Sequence, residues 1–392
     1  MQNIGIIAEF NPFHTGHKHI LDYAKSGENG VICVLSGNFV QRGDTAIIPK
    51  FDRARAALRC GADLVIELPV PYAMSTAQNF AFGAVSLLNG LGVTNRICFG
   101  SECADIDSLT KIADLLESDE FNKKLSSALS SGETYAKIRS DILSEYNQKF
   151  ADIINKPNNT LGIEYITAAK KINSKIKFEC IKRIGAAHDS ADISDTVSAS
   201  LIREHILKGD WGFAEKYMPK PAFDILKDAP ISDIKRMETA ILTVLRTKTA
   251  EEFKNLPDIS EGIENRLFTA VQSAVTLDDL YEKIKTKRYT LARVRRLVLS
   301  AFLGIDNSFF LTPPPYIRVL GFSEKGEEIL RKAKQKSTVP LITNTAEINR
   351  LDKFGQKLWQ TECRATDIYA LSLNQPQECG KEYYHKIIKG AF

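Results

Sequence analysis

The chain has 392 residues, 44% of them hydrophobic and 26% charged, with a formal net charge of +4. These values exclude a disordered chain and leave room for two domains of ordinary size. The charge is too mildly basic either to demand or to exclude a nucleic-acid partner.

Residues 4 to 8, Ile-Gly-Ile-Ile-Ala, read as a first strand that Asn11-Pro12 stops, because proline lacks an N–H and restricts the residue before it. His14-Thr15-Gly16-His17 follows and opens a helix. A helix N-terminus offers free N–H groups and partial positive charge, and glycine allows close backbone approach, so the turn suits a phosphate. The two imidazoles can each donate to phosphate oxygens and stabilise charge that builds up in adenylyl transfer. The apolar runs Val31 to Ser36, Leu64 to Leu68, Arg96 to Phe99 and Lys177 to Cys180 alternate with helical spacing at Arg53 to Cys60, Ala77 to Asn89, Ile106 to Leu116 and Phe121 to Ser131. This alternation predicts an α/β fold whose N-terminal domain, residues 1–207, is a doubly wound, mainly parallel, Rossmann-like sheet with its ligand crevice beyond the strands' carboxyl ends.

After about Lys208-Gly209 the rhythm becomes helical, from Trp211 to Phe302, with short β-like pieces at Ile317 to Leu320 and Pro340 to Thr343. A mostly helical C-terminal domain, 208–392, is expected. No secretory leader opens the chain and no apolar run approaches the ~20 residues of a membrane helix, so a soluble cytoplasmic protein is expected, without a membrane partner. The seven cysteines lack zinc-site spacing and read as buried thiols.

Further candidates lie outside the first turn. Ser198-Ala199-Ser200-Leu201-Ile202-Arg203 places short donors and a bidentate cation at a helix start, which suits an oxyanion; a helix cap with a surface arginine is the plainer alternative. Arg42, Lys50, Arg53 and Arg55 fall in a loop that could meet a substrate carboxylate or an RNA phosphate, or could be a solvated edge. The densest basic run holds Lys283, Lys285, Lys287, Arg288, Arg293, Arg295 and Arg296; helical spacing puts Arg288, Arg295 and Arg296 near one face. That face fits RNA phosphates, though a charge run is commonly only a helix exterior. His19 reads as helix surface, and His188-Asp189 has no assigned role.

Glu9-Phe10-Asn11-Pro12-Phe13-His14-Thr15-Gly16-His17, Ser36 to Gly43, Asp63 to Pro69, Phe99-Gly100-Ser101-Glu102 and Pro157 to Gly162 occur in order. With them the chain resembles the nucleotidyltransferase superfamily bearing the His-x-Gly-His signature. Within it the chain is similar to the bacterial tRNA(Met) cytidine acetate ligase family, closely to about residue 205 and more weakly to the end. The resemblance implies a ligase that activates acetate with ATP to acetyl-adenylate, releases pyrophosphate and acetylates N4 of the wobble cytidine of elongator tRNA(Met). It implies catalytic roles for His14 and His17 and an ATP site over Ile7, Ala8, Glu9, Phe10, Asn11, Pro12, Phe13, His14, Thr15, Gly16 and His17, with Gly100, Asn159 rather than Asn158, Arg183, Ser198, Ser200 and Arg203. Ala199 departs from the superfamily pattern, where a hydroxyl is common. Mg²⁺ is expected on the ATP phosphates, with no protein metal site. RNA contacts are expected at Arg42, Lys50, Arg288, Arg295 and Arg296. Two rival readings are a small-molecule adenylyltransferase and a non-catalytic, nucleotide-regulated RNA-binding protein.

Overall fold

The computed structural model describes residues 2–128, 133–183, 197–260 and 262–390, so His188 and Asp189 lie outside the described residues. Ten strands form among the described residues: β1 (Asn3–Ala8), β2 (Gly30–Ser36), β3 (Phe39–Val40), β4 (Asp44–Thr45), β5 (Leu64–Leu68), β6 (Arg96–Ser101), β7 (Lys177–Lys182), β8 (Ile317–Phe322), β9 (Leu341–Ile342) and β10 (Ile388–Lys389). The centre of the main sheet is parallel in the order β5-β2-β1-β6-β7. The chain steps from β1 to one edge through β2 and β5 and later to the other through β6 and β7. The order therefore reverses between β1 and β6, and the loops after these two strands open into one crevice.

Both faces of the sheet are buried, as continuous apolar parallel strands require. Val31, Cys33 and Leu35 point into one core with Ile4 and Ile6, under the helices Thr15–Ala24, Lys50–Arg59 and Ala199–Leu207. Ile32 and Val34, alternating with them, point into the other core, under the helices Ala77–Gly90 and Pro157–Lys171.

The expected doubly wound sheet is present, but the chain after 208 does not stand apart as a helical unit. β8 pairs antiparallel with β5, and β9 and β10 pair with β8. Ile241, Leu267, Leu297 and Leu358 share a core with Ile32, Leu64 and Ile97. The pairing covers the unpaired N–H and C=O groups that β5 would otherwise present as an edge strand. Helices do fill 211–303, and the two β-like pieces noted in the sequence are the strands β8 and β9. No helix among the described residues is long and apolar enough to cross a membrane.

Candidate functional site

At the switch between β1 and β6 lies a cleft of about 270 Å³, lined among others by Glu9, His14, Gly16, His17, Gly100, Arg183, Ser200 and Arg203. His14 caps the helix Thr15–Ala24: its Nδ1 accepts from the Gly16 amide at 3.0 Å. His17 Nδ1 in turn accepts from the His14 amide at 3.2 Å. An Nδ1 that accepts carries no proton, so each neutral ring holds its proton on Nε2 as a donor. The rings lie 3.8 Å apart, with Phe10 and Phe13 packed at 5.1 and 5.7 Å from the His17 ring. Burial, then the charge of Arg183, lowers His14 to about 3; burial, His14 and Arg183 keep His17 well below its usual value. Both imidazoles are neutral donors at physiological pH.

The remaining walls come from distant segments. Arg203, one turn into the helix Ala199–Leu207, donates to the Asn11 carbonyl at 2.7 Å and to Ser200 Oγ at 3.2 Å. Arg53, almost fully buried, ties the loops after β1 and β2 together by donating to the carbonyls of Glu9, Ser36 and Gly37. Phe10 adopts φ 45°, a costly conformation for a bulky residue, where the chain turns from β1 toward His14. A side chain at Gly100 would place Cβ 3.1 Å from Ile20, so glycine keeps the floor beside β6 open.

Of the expected site residues, Ile7, Ala8, Glu9, Phe10, Asn11, His14, Gly16, His17, Gly100, Arg183, Ser200 and Arg203 converge on the cleft. Pro12, Phe13 and Thr15 do not line it; they shape the turn behind it. Ser198 is a helix cap whose Oγ accepts from the Leu201 amide at 3.2 Å, the plainer of the two readings of that hexapeptide.

Asn159 is a correction. Its Oδ1 accepts from Ser101 Oγ at 2.7 Å and from the Glu102 and Cys103 amides at 2.9 and 3.2 Å, and its Nδ2 donates to the Ile153 carbonyl. These bonds fasten the Asn159 side chain to the loop after β6, and Asn158 is the asparagine that lines the cleft. Lys50 is a second correction. Its side chain is 0% exposed and pairs with Glu67, with Glu362 at 3.0 Å and with Glu382 at 2.6 Å, so no RNA phosphate reaches it. Arg318 joins the same cluster through Glu67 at 3.1 Å and Glu382.

The arginines expected on RNA divide. Arg296 bonds Asp258 at 3.0 Å and is largely buried, a scaffold contact rather than an RNA-facing one. Arg295 lies over the Tyr281 ring and acts electrostatically on Asp44 and Arg203, while Arg288 is exposed. Arg42 lines the cleft itself. The link is the β3–β4 hairpin, whose Gly43 (φ 72°) sits so close to the helix Leu291–Leu303 that an added Cβ would lie 2.5 Å from the Arg296 nitrogen. Sequence reasoning missed Phe80, Leu161, Tyr165 and Gln41, which also line the cleft, and His19, which reaches its rim. Apolar residues at helical spacing carry no local mark that separates a ligand wall from ordinary core.

A family model described as HIGH Nucleotidyl Transferase matches residues 1–383. The tRNA(Met) cytidine acetate ligase of Thermoanaerobacter sp. (strain X514) is 40% identical over 98% of this chain and 99% of its own. The enzyme of the same name from Acetivibrio thermocellus is 36% identical over 99% of this chain and 100% of its own. Among solved structures, Thermotoga maritima TmcAL bound with alpha-thio ATP superposes with a TM-score of 0.93 at 33% identity, each chain fully covered. Its apo form gives a TM-score of 0.95 at the same identity and coverage.

Proposed function

We infer, for a chain that belongs to the HIGH nucleotidyl transferase family, that it is an ATP-dependent ligase forming N4-acetylcytidine at the wobble position of elongator tRNA(Met). The observation that carries this reading is the pair of neutral, Nε2-protonated imidazoles at a helix N-terminus, gathered with Arg183 and Arg203 in one cleft. The relatives named above, matched along their whole length, supply the acceptor.

An acetate oxygen attacks the α-phosphorus of ATP and pyrophosphate leaves with its electron pair. His14 and His17 donate hydrogen bonds to the phosphate oxygens as negative charge develops, and Arg183 and Arg203 supply fixed positive charge. Neutral donors suit this task because they need no proton uptake to act. The cytidine amine is a poor nucleophile, so the acyl group is activated first; N4 then attacks its carbonyl and AMP departs. Among the described residues no three or more His, Cys, Asp or Glu side chains cluster as metal ligands. In this reading Mg²⁺ accompanies the triphosphate. Arg42, Arg288 and Arg295 are the proposed RNA phosphate contacts, and splaying the target base from an anticodon loop is within reach of single-stranded RNA.

The test is mass spectrometry of elongator tRNA(Met) nucleosides after incubation with the protein, ATP, Mg²⁺ and isotope-labelled acetate, beside His17→Ala. Labelled N4-acetylcytidine that disappears in the variant supports the reading. Absence of label, with pyrophosphate released on another small acceptor, replaces it with a small-molecule adenylyltransferase.

A further inference from the structure

The β3–β4 hairpin reaches the cleft with too little structure of its own to hold its place. Its strands have two residues each, and a ribbon of that size is not stable by itself in water. Its loop nevertheless brings two groups to the cleft: the Gln41 amide donates to Glu9 Oε1 at 2.7 Å, and Arg42 lines the wall with its charge near Arg183 and Arg203. The base of the hairpin is closed by the Ala46 amide, which donates to the Asn38 carbonyl at 2.9 Å. Both residues of this closing pair are held from the far end of the chain. Asn38 Nδ2 donates to Thr366 Oγ1 at 3.1 Å, and the Ala46 carbonyl accepts from the Tyr369 hydroxyl at 2.8 Å. Thr366 and Tyr369 stand three residues apart on one face of the helix Lys353–Tyr369.

Asn38, Ala46, Thr366 and Tyr369 are all buried, so water does not replace a bond lost among them. The grip is itself anchored. Thr366 Oγ1 donates to Glu382, and Asn38 Oδ1 accepts from the Lys50 amide at 2.9 Å, so neither side chain of the Asn38–Thr366 pair is free to turn. One residue beyond Ala46, the Ile47 amide donates to Asn11 Oδ1 at 2.7 Å, and the Asn11 carbonyl is the one that takes Arg203. We propose that Thr366 and Tyr369 are positioning residues for the ligation: they grip the two ends of the hairpin base and thereby set Arg42 at the cleft, where its guanidinium meets an RNA phosphate. This rests on the ligase reading given above. Neither residue lines the cleft, so their effect passes through the hairpin. The Tyr369 ring packs on Phe39 at 6.2 Å, and Tyr369→Phe removes the hydroxyl while keeping that contact.

The experiment measures kcat/KM for acetylation of elongator tRNA(Met) in Tyr369→Phe and Thr366→Val, each made in the wild-type chain and in Arg42→Ala. Melting midpoints are taken on every variant, and all rates are measured well below them. Each hydroxyl variant should lower kcat/KM by about tenfold, inside the ~10²-fold that a small displacement can cost. In Arg42→Ala the same substitution should cost less than about twofold, because the group being placed is gone, and the double-mutant cycle isolates that coupling. Thr366→Ser, which keeps the hydroxyl, should retain most of the wild-type rate. Equal losses in both backgrounds are what a weakened fold alone would give, and they overturn the proposal. So does a rate within about twofold of wild type in both hydroxyl variants, or in Arg42→Ala itself. The two substitutions lie at opposite ends of the hairpin base, so a variant that fails to fold leaves the other to decide. Wild-type protein that acetylates no tRNA overturns the ligase reading, whereas an active wild type with uncoupled variants overturns the positioning alone.

Discussion

Replacing Lys50 by methionine should weaken the fold and not the grip on RNA. The ammonium is buried against Glu67, Glu362 and Glu382, and Arg318 bridges Glu67 and Glu382, so two cations face three carboxylates. Burial and the neighbouring Glu67 push Glu362 up to about 8, while Arg318 and Lys50 overcome burial to hold Glu382 down to about 2. At neutral pH the cluster therefore balances at two charges of each sign. Removing the ammonium strands one carboxylate, and breaking a buried pair in this way costs about 3–5 kcal/mol. The stranded group can instead take a proton. From an ordinary carboxyl value of 4.5 this costs roughly 4 kcal/mol at about pH 7.5, using about 1.4 kcal/mol per pH unit, so the two routes agree. With an unfolding entropy of ~2 cal/mol/K per residue, a loss of this size lowers a cooperative melting midpoint by about 4–6 °C. The proton route fixes the sign of the pH dependence: the folded variant binds a proton that its unfolded chain lacks above pH 4.5, so the penalty shrinks as the pH falls. At about pH 5.5 it should be only ~1–2 kcal/mol. Calorimetry on both proteins at the two pH values measures this, with tRNA binding followed well below the melting range. An unchanged midpoint at the higher pH, together with weaker tRNA binding, would refute the structural assignment and return Lys50 to the RNA surface.

The imidazoles give a second prediction: His17→Ala should lower acetate-dependent pyrophosphate exchange by about 10²–10³-fold, the loss typical of one missing donor to developing charge. Since both rings are held neutral by lowered values, exchange should show no histidine inflection near 6.5, and finding one would put an imidazolium in the mechanism. Arg295→Ala should weaken tRNA binding and reduce the slope of log affinity against log salt by about 1. Arg296→Ala leaves Asp258 with Arg293 alone, at 3.5 Å, so a modestly lower melting midpoint with an unchanged salt slope is expected; the reverse pattern would mean that the two side chains have been assigned the wrong way round. Gly43→Ala forces a Cβ into the Arg296 backbone at φ 72°, and it should cost about 1–3 kcal/mol of stability and slow tRNA acetylation. Full stability and activity in that variant would show that the hairpin is not clamped by the helix beneath it.

Much of the nucleotide site was legible because it is local. His14, Gly16 and His17 sit within four residues between a strand and a helix, and the motif's position predicts the crevice that β1 and β6 form. Gly100 follows the same logic, as a glycine at the end of a parallel strand. What could not be read depends on residues far apart in the chain. Lys50 looks like any loop cation until Glu362 and Glu382, more than 300 residues away, close around it. A partial hint was available in Glu67, a charge inside an otherwise apolar strand, which must be paired if buried. Asn158 and Asn159 are indistinguishable by composition; which one lines the cleft is decided by the loop after β6, whose amides claim the second. The return of β8 to the edge of β5 was hidden because an antiparallel edge strand after a long helical stretch breaks the strand–helix rhythm that identifies the rest of the sheet.

That return of the chain bears on function. Because β8 and the helix Lys353–Tyr369 share a core with the central strands, the helix Leu291–Leu303 is held against the nucleotide-binding half rather than on a separate body. The β3–β4 hairpin is pinned between them: Gly43 packs on that helix, the Gln41 amide holds Glu9, and Asp44 feels the charges of both Arg203 and Arg295. RNA bound at Arg295 would therefore meet a carboxylate that also faces a phosphate-binding arginine. Packed interiors transmit such displacements because they have little room to absorb them. The hairpin therefore joins the helix that carries the proposed RNA contact Arg295 to the loop that carries Glu9 at the cleft.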